Sequence, residues 1–238
     1  MRLLALLCLV LSLEATAQDM LEADRTSKFQ IGLNASAELP FRRIHSIHAI
    51  EDTAIMATNI KRAERPAISY SSGLRICYSI QKNVELEMGF GYHYKAFNID
   101  WSKIRFIRPS NAPIWYYDPR PISDHWNVRY FEMPVKLNLI LGSGKVRSIS
   151  SVGASYSFSH SIGESALIDE IGLALDVTGL SDQYIAAIIS SGAEIKLGQR
   201  GHLRVEPTLN YGITQFTEGL VQTKLWTIGT NFGYYWRF

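Results

Sequence analysis

The sequence predicts an all-β fold: an eight-stranded antiparallel up-and-down transmembrane β-barrel. Three observations predict it. Eight segments alternate apolar and polar residues with a period of two. Tight turns and long loops alternate between those segments. The chain ends on a long aromatic strand, where Trp226, Ile228, Thr230, Phe232, Tyr234, Trp236 and Phe238 share one face against Thr227, Gly229, Asn231, Gly233, Tyr235 and Arg237.

The first segment, about 27–39, sets Phe29, Ile31, Leu33, Ala35, Ala37 and Leu39 on one face. The second, about 67–80, does the same with Ile68, Tyr70, Leu74, Ile76, Tyr78 and Ile80. Val84, Leu86, Met88, Phe90, Tyr92 and Tyr94 mark the third, about 84–97, and Phe131, Met133, Val135, Leu137, Leu139 and Leu141 the fourth, about 126–141. The fifth, about 147–158, is the weakest, with Val152, Ala154, Tyr156 and Phe158 opposed by Ser151, Gly153, Ser155 and Ser157. Ile185, Ala187, Ile189, Ala193, Ile195 and Leu197 define the sixth, about 184–197. The seventh, about 202–213, carries Leu203, Val205, Pro207, Leu209, Tyr211 and Ile213. Each has the ~9–11 residues that cross a bilayer at a tilt. Pro207 has no ladder donor, so a bulge or a local strand shift is expected there.

The connections separate a membrane barrel from a soluble sandwich. Gln81-Lys82-Asn83, Gly142 to Val146 and Gly198-Gln199-Arg200-Gly201 are turn sequences. Between them fall long loops at about 40–66, 99–125 and 159–183, and a shorter one at about 214–222. Short turns on the periplasmic side and long loops outside are the layout of a transmembrane barrel. Aromatic residues gather at both expected interfaces: Tyr92, Tyr94, Tyr156, Phe158 and Tyr211 towards the outside, and Phe29, Tyr78, Trp236 and Phe238 towards the periplasm. A lipocalin-like or Greek-key sandwich leaves the closing strand unexplained.

The amino terminus reads as an export signal, residues 1–17, followed by one barrel domain, 18–238. Met1-Arg2 is positive, Leu3 to Leu13 is apolar over about eleven residues, and Ala15-Thr16-Ala17 fits a cleavage site. The rest holds one cysteine, Cys77, which excludes an internal disulfide. No later apolar run of about 18 residues exists, so helical spanning is excluded. A net charge of +2 gives no reason to expect a nucleic-acid partner. Mean hydropathy near zero suits alternating faces.

Two stretches carry a resemblance. Arg129-Tyr130-Phe131-Glu132-Met133-Pro134-Val135-Lys136-Leu137 is similar to the Y-[LF]-E-[IM]-P strand of Bacteroidota outer-membrane β-barrel proteins of the porin-family, PorT-like group. The tail from Leu203-Arg204-Val205-Glu206-Pro207 to Tyr234-Tyr235-Trp236-Arg237-Phe238 resembles them too. The resemblance implies an OmpA/OmpX-like barrel in the cell outer membrane, often with no assigned activity. It also implies that the closing aromatic strand, with Trp236 and Phe238, is the signal read by the barrel-assembly machinery. Some members serve type IX secretion and gliding; no motif here marks that branch.

The opposite strand faces point inward and supply Lys28, Arg75, Lys95, Lys136, Lys196, Arg204 and Arg237 against Glu38, Glu85, Glu87, Glu132, Glu194 and Glu206. An eight-stranded barrel is just wide enough for side chains to fill it. Unpaired charges there are costly, so a packed polar network is expected, joined by Tyr130, Tyr235 and Asn231. Arg204 and Glu206 should face Glu194 and Lys196 across the Gly198–Gly201 turn, and closure should bring Lys28 or Glu38 near Arg237. Cys77 should be buried and inert.

Candidate chemistry is sparse. His45, His48, His125 and His160 fall in or near loops, His93 should face the lumen, and His202 should lie at a periplasmic turn; no pair has metal-ligand spacing with carboxylate support. His160, Ser161 and Glu164 are a candidate lipid A-modifying cluster, but consecutive strand residues diverge. Gly142-Ser143-Gly144-Lys145 lacks phosphate-loop spacing. No catalytic, cofactor or metal residue is assigned, and the chain is read as a non-enzyme.

The long loops carry better hints. Trp101, Arg105, Trp115, Tyr116 and Tyr117, with Phe106, Arg108, Pro109, Pro119, Arg120 and Pro121, are the residue types enriched at recognition surfaces. They also suit a cap over the barrel mouth touching lipopolysaccharide. Ile168, Ile171, Leu175 and Leu180 permit a short amphipathic helix on the rim. The leading expectation is a barrel with a plugged polar lumen and a structural or surface-interaction role. Its expected partners are outer-membrane lipid, lipopolysaccharide, the barrel-assembly machinery and an envelope protein. The alternatives are an accessory subunit of a type IX-like secretion complex and a lipid A-modifying enzyme.

Overall fold

The computed structural model describes residues 28–46, 64–100, 123–163, 181, 183–216 and 221–238. The signal segment 1–17 and the surface candidates Trp101, Arg105, Trp115, Tyr116 and Tyr117 lie outside them. The described chain is strand throughout its regular parts: β1 Phe29–Ser46, β2 Glu64–Pro66, β3 Ser69–Gln81, β4 Val84–Asp100, β5 Ser123–Leu141, β6 Val146–Gly163, β7 Gln183–Leu197, β8 Gly201–Gly212 and β9 Val221–Arg237. All pairings are antiparallel: β1 pairs with β3, each strand from β3 to β8 pairs with the next, and β1 pairs with β9. The sheet therefore closes into a barrel of eight staves, as the alternation predicts.

The ninth strand of the count is not a ninth stave. β2 pairs with β4, as β3 does, and prolongs the β3 stave after a break at Ala67-Ile68. Strands also run past the expected boundaries. β1 continues to Ser46 and stays paired with β9 up to Val221, and β4 and β5 pair up to Asp100 and Ser123. The polar, charged residues at these ends look like loop in sequence, but the ladder continues through backbone pairing with one neighbour, β9 for β1 and β4 for β5.

Pro207 produces no bulge. On the β7 side Ser190 faces Thr208 and Ala193 faces Val205, so the register is the same above and below the proline. A residue without an N–H makes the ladder skip a rung there rather than slip. Pro134 acts likewise between β4 and β5, where Met88–Val135 and Gly91–Glu132 keep one register. A true shift lies between Arg129 and Phe131 on the β5–β6 side. Two turns hold glycine with positive φ, Gly142 at +101° and Gly198 at +80°, a backbone region that side chains disfavour.

The outer wall is apolar. Phe29, Ile31, Leu33, Ile76, Phe90, Val135, Val152, Ile189, Leu209, Phe232, Trp236 and Phe238 are all exposed there, while their strand neighbours point in and are buried or partly so. Such a band, in a sheet with no free edge, is the solution that lipid permits and water does not. Between Trp226 and Trp236 the outward residues run unbroken by charge, and Phe232 falls near mid-height. In phospholipid vesicles Phe232→Arg should therefore destabilise the barrel by about 2–4 kcal/mol and Trp236→Arg, at the rim, by about 0–1 kcal/mol. Denaturant unfolding of the two variants measures the difference.

Candidate functional site in the barrel interior

Inward alternation gathers charged residues inside the barrel. Among the described residues six carboxylates (Glu38, Glu85, Glu87, Glu132, Glu194, Glu206) and five cations (Arg75, Lys95, Lys136, Arg147, Arg204) are buried, together with His93 and His202. Near-equal numbers let burial be offset by pairing rather than left as bare charge.

Arg204 is the centre of the turn-side half. Its Nη2 lies 2.6 Å from Glu85 and 2.8 Å from Glu194, its Nε donates to Glu194 at 2.9 Å, and its Nη1 donates to Glu87 at 3.4 Å. Glu194 stands beside it on β7, in register with it. Glu85 and Glu87 are on β4, four staves away in either direction round the ring. These ion pairs thus link opposite walls of the barrel. One of its faces covers the Tyr235 ring, with Cζ 4.2 Å from the centroid.

Every stave adds a member to this layer. β1 gives Gln30, donating to Glu85 at 2.8 Å, and β3 gives Arg75, 3.5 Å from Glu87. β5 gives Lys136, 3.0 Å from Glu87 and 3.6 Å from Glu206, and Asn138, donating to Glu87 at 3.0 Å. Arg147 on β6 pairs with Glu194, and Ser151 and Ser190 donate to Glu206 at 3.2 and 2.8 Å. Tyr235 on β9 donates to Glu87 at 3.3 Å. Its ring lies over two glycines: a Cβ at Gly32 or Gly233 would come within 2.5 Å of it.

Towards the loop side the character changes. Lys95 pairs with Glu38 at 3.0 Å, and His93 Nε2 sits 3.5 Å from Glu132 while its ring stacks on Tyr130 at 5.2 Å. Above them Phe97, Val128, Tyr130, Tyr184, Ala186, Phe216 and Leu225 form an apolar cluster inside the barrel. Tyr184 meets Tyr130 and Phe216 edge-on at 5.8 and 5.7 Å. Phe216 reaches it through the short connection to β9, held by Phe216 N–H to Thr223 O at 2.8 Å. Between the two layers lies a cavity of about 40 Å³ lined by Ser36, Glu38, Arg75, Glu132, Lys136 and Asn231, among others. It has room for roughly three water molecules.

The structure brings together Arg75, Glu85, Glu87, Lys136, Glu194, Arg204 and Glu206, and places Lys95 and Glu132 in the upper layer. Three of the expected members stand apart. Lys28 is exposed, because it precedes β1 and never enters the inward alternation. Lys196 and Arg237 are only half-buried, being the last inward positions of their strands at the turn-side rim. Closure sets Gln30, not Lys28 or Glu38, opposite Arg237, and Glu38 faces Gly229 higher up. His202 is buried at 1% exposure, 3.6 Å from Glu194, rather than lying in a turn. Arg147 is the member that sequence reasoning missed: it sits on the weakest strand, yet its odd number, shared with inward Ser151 and Ser155, was the signal.

Cys77 is wholly buried, 3.6 Å from Arg204 and 3.7 Å from Glu87. His160 and Ser161 occupy consecutive positions within β6, and Glu164 lies outside the described residues. Among the described residues no group of three or more His, Cys, Asp or Glu could hold a metal.

A search of solved structures matches this architecture. Neisserial surface protein A is similar with a TM-score of 0.51 at 10% identity, over 89% of this chain and 98% of that chain. The chain has the fold of an outer-membrane β-barrel. Outer Membrane Protein W of E. coli matches over 90% of this chain and 100% of its own at 12% identity and a TM-score of 0.41. The outer membrane protease OmpT of Escherichia coli does so over 92% and 99% at 8% and 0.47. No family model matches the sequence, and no curated protein is significantly similar to it.

Removing Arg204 leaves Glu85 and Glu194 buried without their shared cation. Arg204→Met should cost about 3–5 kcal/mol of stability. Adding Glu85→Gln and Glu194→Gln to that variant should recover most of the loss, as read by unfolding in detergent or vesicles.

Proposed function

We propose that the chain is an outer-membrane barrel, exported by its amino-terminal segment, whose interior passes no ions and whose role is structural or surface-interacting. The observation that carries this is the Arg204 crossing. A guanidinium bound to carboxylates on opposite staves obstructs the axis, and opening a path past it would strand charges that are costly to leave unpaired. The apolar cluster around Tyr130, Tyr184 and Phe216 is a second obstruction towards the loop side.

With the interior so occupied, function falls to the long loops around 99–125 and 159–183. Trp101, Arg105, Trp115, Tyr116 and Tyr117 are the proposed contact residues, binding without catalysis. The Arg129–Leu137 stretch and the aromatic tail support membership of the Bacteroidota PorT-like group and delivery by the barrel-assembly machinery through Trp236 and Phe238. Purified protein in planar bilayers should show no large steady ohmic conductance; such a conductance overturns the proposal. Trp115→Cys on intact cells should react with a membrane-impermeant maleimide. Stable co-purification with secretion subunits would instead favour the accessory-subunit reading.

A further inference from the structure

The outer wall, apolar elsewhere, carries a few charges, and their distribution is one-sided. On the described strands the outward cations are Arg43 on β1, Arg65 on β2, Arg129 on β5 and Lys224 on β9. The outward acid on those strands is Asp100, half-buried and 4.0 Å from Arg65. Arg43, Arg129 and Lys224 make no ion pair among the described residues. All three sit towards the long-loop end.

Each also stands at the first outward position beyond an aromatic residue and its apolar run. Below Arg43 come Phe41 and then Leu39 to Phe29; below Lys224 come Trp226 and then Ile228 to Phe238; below Arg129 comes Phe131 and then Met133 to Leu141. The runs match the ~9–11 residues of a crossing, which sets the cations at headgroup depth.

Two of them are adjacent. Arg43 and Lys224 are direct cross-strand partners at the seam where β1 meets β9, with Cβ atoms about 5 Å apart by ladder geometry. Like charges directly opposite are unfavourable without a counter-ion. About 7 Å nearer the bilayer centre, at the next outward pair, Phe41 and Trp226 stack with ring centroids 4.3 Å apart and planes at 15°. A twinned positive site over a flat aromatic shelf has the shape of a phosphorylated lipid: phosphate between the cations, acyl chain along the rings.

We infer that Arg43 and Lys224 bind the phosphate of a phosphorylated lipid headgroup in the outer leaflet, with Phe41 and Trp226 supporting its chain. Arg129, 6.0 Å above the Tyr94 ring, provides a second, single-cation position on the same rim. This rests on the outer-membrane reading and on the long loops facing outward.

The test is retention of diphosphoryl lipid A, against the same lipid stripped of phosphate, by the refolded full chain in detergent, read by native mass spectrometry. Wild type should hold the phosphorylated form selectively. Arg43→Gln with Lys224→Gln should weaken retention about thirtyfold, two cations at about fivefold each, while Lys82→Gln with Lys145→Gln at the opposite rim should leave it unchanged. Equal retention of both lipids by wild type, no change in the Arg43/Lys224 variant, or loss in the Lys82/Lys145 variant overturns the inference. Failure of the wild-type barrel to insert into any phospholipid vesicle would instead overturn the outer-membrane reading itself. Folding of each variant is checked by heat-modifiable gel migration, and Arg43→Lys should retain the lipid where Arg43→Gln does not.

Discussion

One interaction constrains the rest of the molecule: the Arg204 side chain reaching from β8 across to Glu85 and Glu87 on β4 while holding Glu194 beside it. A charge at the centre of so narrow a barrel is tolerable only if each of its donors is met. The surrounding residues follow from that requirement. Gln30 and Asn138 complete the acids, Lys136 and Arg147 balance their excess negative charge, and the glycines at 32 and 233 leave room for the ring on which the guanidinium rests. Larger residues at those two positions would push Tyr235 into the space that Arg204 occupies.

The two layers of the interior divide the work. The turn-side layer is held by charge and is specific, since each acid has partners from several staves. The loop-side layer is held by aromatic packing, with Tyr130 bridging the two through His93 and Lys95. The small residues around the cavity between them, Ser36 and Asn231 among them, separate the layers without filling the gap. Outside, the same alternation that supplies these inward groups supplies the apolar wall, so one periodicity builds both the solvent-facing chemistry and its opposite.

Most of the fold was legible because a period of two is a strong signal when sustained over long segments, and because turn sequences alternated with long loops. Strand ends were not, since beyond the bilayer region the pairing of β1 with β9 and of β4 with β5 continues through residues with no apolar alternation. Which faces carry the charges could be read from residue parity, and that placed Arg204 beside Glu194. Its reach to β4 could not be read, because it depends on barrel width and on which staves stand opposite. Arg147 was overlooked and His202 assigned to a turn for a related reason: both lie close to turns, where sequence alone does not say that the inward face persists. Lys28 is the converse error, an alternation extended one position past the point where the strand begins.

The position of Tyr235 has a consequence for how the molecule assembles. It belongs to β9, yet its ring rests on Gly32 of β1 and its hydroxyl meets Glu87 of β4. An open sheet lacking the final seam would therefore also lack the support beneath Arg204, leaving several ionised groups facing hydrocarbon along an unpaired edge. Closing the β1–β9 seam and completing the support beneath Arg204 therefore depend on the same side chain.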